Sequence, residues 1–322
     1  MSEVAEIWVL TDGRAGNVAQ ALGLAEAIGR QRPVHIVQKT IGLNWLGRLV
    51  PPGLAVRFRA NVDGWPFNGL SQGADDLQGP WPNMVIGAGR RSAPVVAALR
   101  SLHGVTAVQM LDPQCPPTAF DAVIVPAHDQ LAGANVLTTL GAVNRITSDR
   151  IAAAAEDWGR LADRPHVAVL IGGPSRSATF SEADAENLAL ALEALSAEHD
   201  LVVTTSRRTP VALAEQIACL LAGRGVVWTG EGPNPYPAML SGASAVLVTE
   251  DSVNMASEAA TAGVPVHVFS LTRIHAKFAE FHRALFDHGA SRQFNGALER
   301  WDYAPLAEGD RIAGELIRRG LI

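Results

Sequence analysis

The sequence predicts two α/β domains, each built on a doubly wound parallel sheet. Three observations carry that prediction. Short runs that are apolar at every position alternate with amphipathic helical stretches, which is the pattern of strands covered on both faces. The runs form two series, divided by a polar helical stretch from Asp149 to Arg164 that ends in Asp163-Arg164-Pro165. A length of 322 residues suffices for two ordinary domains, each with its own core. The expected extents are 1–158, joined by a C-terminal helix within 305–322, and 159–304.

The first series opens with Trp8-Val9-Leu10 running into the polar turn Thr11-Asp12-Gly13. Val18, Leu22, Ala25 and Ile28 then mark a helical face, with Gly29 as the expected C-cap. Further strands are expected at 34–37, 84–86, 105–111, 122–125 and 136–140. The second series begins at Val167 to Ile171 and continues at 201–205, 226–228, 245–249 and 266–269.

Composition narrows the function classes. Hydrophobic residues make up 48% and charged residues 18%, as in a globular rather than a disordered chain. The net charge of −6 argues against a nucleic-acid partner, whose phosphates call for a basic excess. Cys115 and Cys219 stand far apart, which fits neither a disulfide framework nor a structural zinc site and agrees with a reducing cytoplasm. Lys39 and Lys277 are the only lysines, and neither follows a glycine-rich turn, so a P-loop is excluded. The acidic start, with Glu3 and Glu6, and the short apolar run after it do not match a secretory signal. The expected location is cytoplasmic, at most peripheral to the inner face of a membrane.

One stretch interrupts the alternation. Residues 41–69 mix Trp45, Leu46, Leu49, Val50, Leu54 and Phe58 with Arg48, Arg57 and Arg59. An inserted loop with short helices packed on the first domain is the favoured account. The alternative is a patch resting on anionic lipid.

In open parallel sheets, ligands bind where the carboxyl ends of strands meet helix N-termini. Four such places in the second half suit an anion. Gly172-Gly173 lets a backbone come close, and Ser175 and Arg176 can donate to phosphate oxygens. The helix after that loop is expected to begin at Ser181, with Asp184 as its capping-box partner. Ser206, Arg207 and Arg208 form the second place, with Thr209 as expected N-cap and Pro210 in the first turn. The third, Gly230 to Tyr236, is a turn that could flank a base. In the fourth, a helix begins near Ser252 and stops at Gly263, with Asn254 and Glu258 on one face. Glu250 and Asp251 would repel a phosphate there, so Ser252 and backbone amides are assigned to phosphate and Glu258 to ribose hydroxyls.

The first half offers Asp12-Gly13, the turn Gly87-Ala88-Gly89-Arg90-Arg91, Asp112, and His128-Asp129. Gly87 and Gly89 followed by an acid at the next strand end resemble part of a dinucleotide fingerprint. Ser92 in place of the third glycine and the intruding arginines disfavour it. A turn facing a second substrate is more economical. His128 beside Asp129 is a candidate base, although a structural histidine is the commoner case.

Several segments form one series: Thr11-Asp12-Gly13, Gly89-Arg90-Arg91-Ser92-Ala93-Pro94, Gly141 to Arg145, Ile171 to Arg176 and Thr205 to Pro210. Asp251-Ser252, Ser257-Glu258-Ala259, Lys277-Phe278 and Phe281-His282-Arg283 extend it. In order and spacing this series resembles the mitochondrial-fission Elm family. The resemblance runs from Thr11 to about Phe294, and the arginine-rich, lysine-poor composition suggests a bacterial member. It implies a GT-B-like fold, two Rossmann-like domains facing across a cleft, with a nucleoside diphosphate sugar held mainly by the second. A sugar-nucleotide-dependent glycosyltransferase without a required cofactor or metal is then the leading expectation. Arg176, Arg207 and Arg208 would neutralise the diphosphate, and Asp12, His128 or Asp129 would deprotonate a lipid-linked or membrane-surface acceptor beside Gly13, Gly87, Gly89, Arg90 and Arg91. A non-catalytic scaffold and a nucleoside-diphosphate-sugar epimerase are the alternatives.

Overall fold

The computed structural model describes residues 4–158, 165–230 and 235–322. The chain divides into two compact units, 1–145 with 307–322 and 146–306. Each carries one six-stranded, wholly parallel sheet.

The first unit runs β1 (Ala5–Thr11), α1 (Ala15–Gln31), β2 (Val34–Thr40), α2 (Trp45–Leu49), α3 (Pro52–Ala55), β3 (Met84–Ala88), α4 (Ala93–His103), β4 (Thr106–Met110), β5 (Ala122–Pro126) and β6 (Val136–Thr139). Strand order is β2-β1-β3-β4-β5-β6. Successive side chains of β1 serve opposite faces, as the two-residue repeat of a strand requires. Ile7 and Val9 join the core under α1, with Leu24, Ile28 and Ile86. Trp8 and Leu10 join the opposite core, with Val85, Val96 and Leu99. This double burial is why the strands read as continuous apolar runs. The C-terminal helix, Glu308–Arg318, lays Ile312, Ala313 and Leu316 into the α1 core, and Arg30 pairs with Asp310 at 2.6 Å.

The first helix does not stop at Gly29. It continues to Gln31, because a Cβ-free residue fits a helix interior and no residue there takes the left-handed conformation. The expected insertion is present as α2, α3 and a short 3-10 turn at Phe67–Gly69.

The second unit runs α5 (Ser148–Trp158), β7 (His166–Ile171), β8 (Ala178–Thr179), α6 (Glu182–Ser196), β9 (Leu201–Thr205), α7 (Val211–Leu220), β10 (Gly225–Trp228), α8 (Tyr236–Leu240), β11 (Ala243–Thr249), α9 (Val253–Ala262), β12 (Val266–Phe269), β13 (Arg273–Ile274), α10 (Ala276–Asp287) and β14 (Ser291–Gln293). Its strand order is β10-β9-β7-β11-β12-β14, with β8 and β13 as a small antiparallel pair. The division falls before α5, whereas the composition change placed it after that helix. The reason is packing: α5 lies on α8 and belongs to the second unit. The expected linker residues 159–164 lie outside the described residues, as do 231–234 of the Gly230–Tyr236 turn.

α6 starts as its sequence predicts. Ser181 accepts from the Asp184 amide at 3.1 Å, and Asp184 accepts from the Ser181 amide at 2.8 Å. Asp184 also accepts from the Thr272 amide and hydroxyl at 2.9 and 2.8 Å, tying α6 to the segment after β12. Burial pushes the Asp184 carboxyl up, but hydrogen bonds from Ser181 and Thr272 outweigh it and leave the group below its ordinary value. A depressed carboxyl contributes stability above the unfolded-state value and loses it as pH falls through the folded one. Asp184→Ala is therefore expected to cost about 2–3 kcal/mol near neutral pH and less in acid, because it orphans two backbone amides. Urea unfolding at neutral and acid pH checks this, and an unchanged midpoint at neutral pH would count against it.

Candidate nucleotide site

In the second unit β7 leads out to β9 and β10 on one side, and the chain then returns to place β11 on the other side. The strand order thus reverses between β7 and β11, the position where open α/β sheets form a crevice. Three adjacent strand ends meet there, β9, β7 and β11. They bring together the Ser206–Arg208, Gly172–Arg176 and Thr249–Ser252 segments, which lie far apart in sequence.

The centre of the arrangement is Asp251, whose side chain is 0% exposed. It accepts from the Gly173 amide at 2.9 Å and the Thr249 hydroxyl at 2.7 Å, and pairs with Arg208 Nη2 at 2.7 Å. Arg208 Nη1 also donates to the Gly173 carbonyl. The Gly172 amide donates to Thr249 Oγ1 at 2.8 Å, and the Thr209 hydroxyl donates to the Gly172 carbonyl at 2.5 Å. A buried carboxylate is tolerated when amides, a hydroxyl and a cation satisfy it together.

This network revises two roles. The glycine pair admits the protein's own atoms: a Cβ on Gly172 would stand 2.1 Å from Asp251 Oδ2, and one on Gly173 would stand 2.2 Å from the Arg208 carbonyl. Arg208 is held by Asp251 and Gly173, so it positions the loops. Thr209 does not cap α7 either. Its hydroxyl is engaged by the Gly172 and Ile171 carbonyls, and the helix begins after Pro210.

The expected repulsion of phosphate by Glu250 and Asp251 is removed by the same geometry. Asp251 is neutralised, and Glu250 accepts from the Leu271 amide at 3.0 Å. Burial raises the Glu250 carboxyl, opposed by that hydrogen bond. His282 holds the turn by bonding the Glu250 carbonyl at 2.8 Å. Ser252 is the N-cap of α9, accepting from the Met255 amide at 3.4 Å, and Gly263 ends the helix with φ +77°. Ser175, Arg176 and Arg207 are exposed, and Asn254 is half-buried in the first turn of α9.

Glu258, four residues beyond Asn254, is half-buried and hydrogen-bonded to the buried hydroxyl of Tyr236. Burial lifts its carboxyl to about 7, and the Tyr236 bond only partly offsets that. Burial, with Glu258 adjoining, raises the Tyr236 hydroxyl well above its ordinary value. Tyr236 as the partner of Glu258 escapes sequence reasoning, since no spacing links the two positions. Thr249 was visible only as a strand-end hydroxyl.

The first unit has its own reversal, between β1 and β3, flanked by Asp12-Gly13 and the Gly87–Arg91 turn. Asp12 is 5% exposed and accepts from Asn17 at 2.9 Å, with Arg14 Nε and Arg91 Nη1 at 3.3 and 3.5 Å. Gly13 and Gly89 take positive φ. The glycine turn is packed with the chain's own side chains: a Cβ on Gly87 would stand 2.5 Å from Gln109 Oε1, and one on Gly89 would stand 2.7 Å from Asn17 Nδ2. That packing is unlike a pyrophosphate-binding turn. Arg90 bonds Gln114 at 3.2 Å. His128 and Asp129 lie 4.0 Å apart after β5, separated from Asp12 by β3 and β4, roughly 14 Å at ordinary strand spacing. The structure does not bring these candidate bases together.

The fold is that of GT-B proteins, two Rossmann-like units in one chain. The sequence pattern of the family described as Mitochondrial fission ELM1 matches residues 15–320, and the chain belongs to that family. It is 29% identical over 306 residues to mitochondrial fission protein ELM1 of Arabidopsis thaliana, covering 83% of this chain and 71% of that protein. It is 27% identical to protein RP120 of Rickettsia prowazekii, covering 98% of each. Among solved structures it resembles Methanocaldococcus jannaschii UDP-GlcNAc 2-epimerase in complex with UDP-GlcNAc and UDP. The TM-score is 0.54 at 10% identity, covering 98% of this chain and 99% of that one.

Proposed function

We propose that the second unit binds a nucleoside diphosphate sugar and that the protein is a metal-independent glycosyltransferase. The observation that carries this is the meeting of three loops around Asp251 at the strand-order reversal. It ties Arg208 and both acids into contacts with the chain itself, while Ser175, Arg176 and Arg207 stay exposed beside the start of α9. A UDP complex of a protein with the same fold supports the choice of ligand class. In this account Arg176, Arg207, Ser206, Ser252, Asn254 and the first amides of α9 meet the diphosphate, and Glu258 accepts from ribose hydroxyls. Arginines aimed at a departing diphosphate stabilise the charge that develops on it. Acceptor deprotonation falls to Asp12, or to His128 with Asp129.

A second reading, binding without turnover, is favoured by the engagement of Asp12 with two arginines and its separation from His128. Thermal melting tests the shared premise. UDP and UDP-sugars are expected to raise the melting temperature, and Arg176→Ala and Arg207→Ala each to weaken binding roughly tenfold or more, as loss of a charge-assisted bond does. Absence of a shift with any nucleoside diphosphate would overturn the premise. Labelled UDP-sugar with lipid acceptors then separates transfer from binding alone, and sugar isomer analysis without acceptor detects epimerisation.

A further inference from the structure

The insertion between β2 and β3 is ordered from below and apolar above. Asn44 caps α2 by accepting from the Gly47 amide at 3.0 Å and donates to the Asn68 carbonyl at 2.8 Å. Trp65 Nε1 donates to the Ala55 carbonyl at 3.0 Å. Gly47 packs so tightly that a Cβ would stand 2.3 Å from the Gly69 carbonyl. On this anchored base the large apolar side chains are left uncovered: Trp45 is 74% exposed, Leu49 69%, Leu54 47% and Phe58 49%. A fixed base with a bare apolar surface marks an interaction site rather than a slack loop.

The charges say what kind of partner fits. Arg48, Arg57 and Arg59 are exposed among those apolar side chains, and residues 45–59 hold no carboxylate in a chain of net charge −6; Asp63, Asp75 and Asp76 come later in the insertion. The surface continues into a cavity of about 350 Å³ lined by Arg48, Leu49, Pro52, Trp65, Arg90 and Arg91. Arg91 there shares Asp12, and Arg90 bonds Gln114. A second copy of this chain, packed through the same face, would set arginine against arginine. A lipid layer with anionic headgroups satisfies both halves of the pattern, with aromatic and aliphatic side chains at the acyl boundary and arginines at phosphates. Among the described residues no helix is long and apolar enough to cross a membrane.

We infer that residues 45–59 dock on an anionic lipid layer, with Arg48, Arg90 and Arg91 facing a headgroup phosphate in the adjoining cavity. This goes beyond the nucleotide reading and stands or falls apart from it. Flotation with phosphatidylcholine vesicles, and with vesicles of equal parts phosphatidylcholine and phosphatidylglycerol, tests it. Binding is expected to the anionic vesicles only and to weaken with salt. Arg57→Ala/Arg59→Ala is expected to lower partitioning about fivefold per arginine, and Arg90→Ala by a similar factor. Trp45→Ser/Leu49→Ser is expected to abolish flotation while melting like the parent and keeping its UDP response. Equal partitioning into both vesicles, none into either, or unchanged flotation of the Trp45/Leu49 variant would overturn the inference. Should that variant fail to fold, the two exposed arginines decide, and flotation unchanged by their removal overturns it equally. The UDP response, measured on the same samples, reports separately on the nucleotide site.

Discussion

Arg208→Ala is expected to destabilise the second unit by about 3–5 kcal/mol, a large share of the total stability of an ordinary domain. The substitution leaves Asp251 wholly buried with an amide and a hydroxyl but no cation. Asp251→Ala is expected to cost less, about 2–3 kcal/mol. Arg208 is 39% exposed and can turn its guanidinium to water, so what remains is the loss of acceptors for Gly173 and Thr249. The double variant should cost clearly less than the sum, since each single change removes the same contact. Urea unfolding of the four proteins measures this cycle. Additive costs, or a milder effect for Arg208→Ala than for Asp251→Ala, would show that the pair does not organise the site. Because Gly173 is bonded to both members of this pair, nucleotide affinity should fall in both variants even though neither Arg208 nor Asp251 is assigned to phosphate.

That coupling also shows where sequence reasoning ran short. The sheets were legible because strands buried on both faces leave continuous apolar runs, and their carboxyl ends advertise glycines, hydroxyls and charges. The same logic brought Gly172, Ser206 and Ser252 to one edge. It did not distinguish a charge aimed at a ligand from a charge aimed inward. Arg207 and Arg208 are exposed neighbours of one type, and only the position of Asp251, many residues away, commits Arg208 to an ion pair. The glycine pair had the same ambiguity, since close approach by a ligand and close approach by Asp251 demand the same missing Cβ. The sixth strand, Ser291–Gln293, lacked the apolar run altogether because it is a short edge strand. In the first unit the arginines disfavoured a dinucleotide reading of the glycine turn. The filling of that turn by Asn17 and Gln109 needed the fold.

Glu258→Gln is expected to stabilise the protein near pH 8 and to leave it almost unchanged below about pH 4.5. Burial lifts the carboxyl from 4.5 to about 7. The folded state therefore keeps a proton that the unfolded chain has released. Stability must fall as pH rises through that interval, by at most about 3 kcal/mol once both states are ionised. Below the unfolded value both states are protonated and the cost vanishes. Glutamine is neutral throughout and keeps an oxygen to accept from Tyr236, so it removes the cost without removing the bond. Melting temperatures of the two proteins from about pH 4.5 to 8 should diverge steadily, and a constant difference would sink the assignment. The binding readout should move the other way. An ionised carboxylate is the stronger acceptor for ribose hydroxyls, so UDP affinity of the parent should rise through pH 7, while the glutamine variant binds more weakly and without that rise. Gain of stability with loss of binding at one position is the behaviour of a group retained for its ligand rather than for the fold.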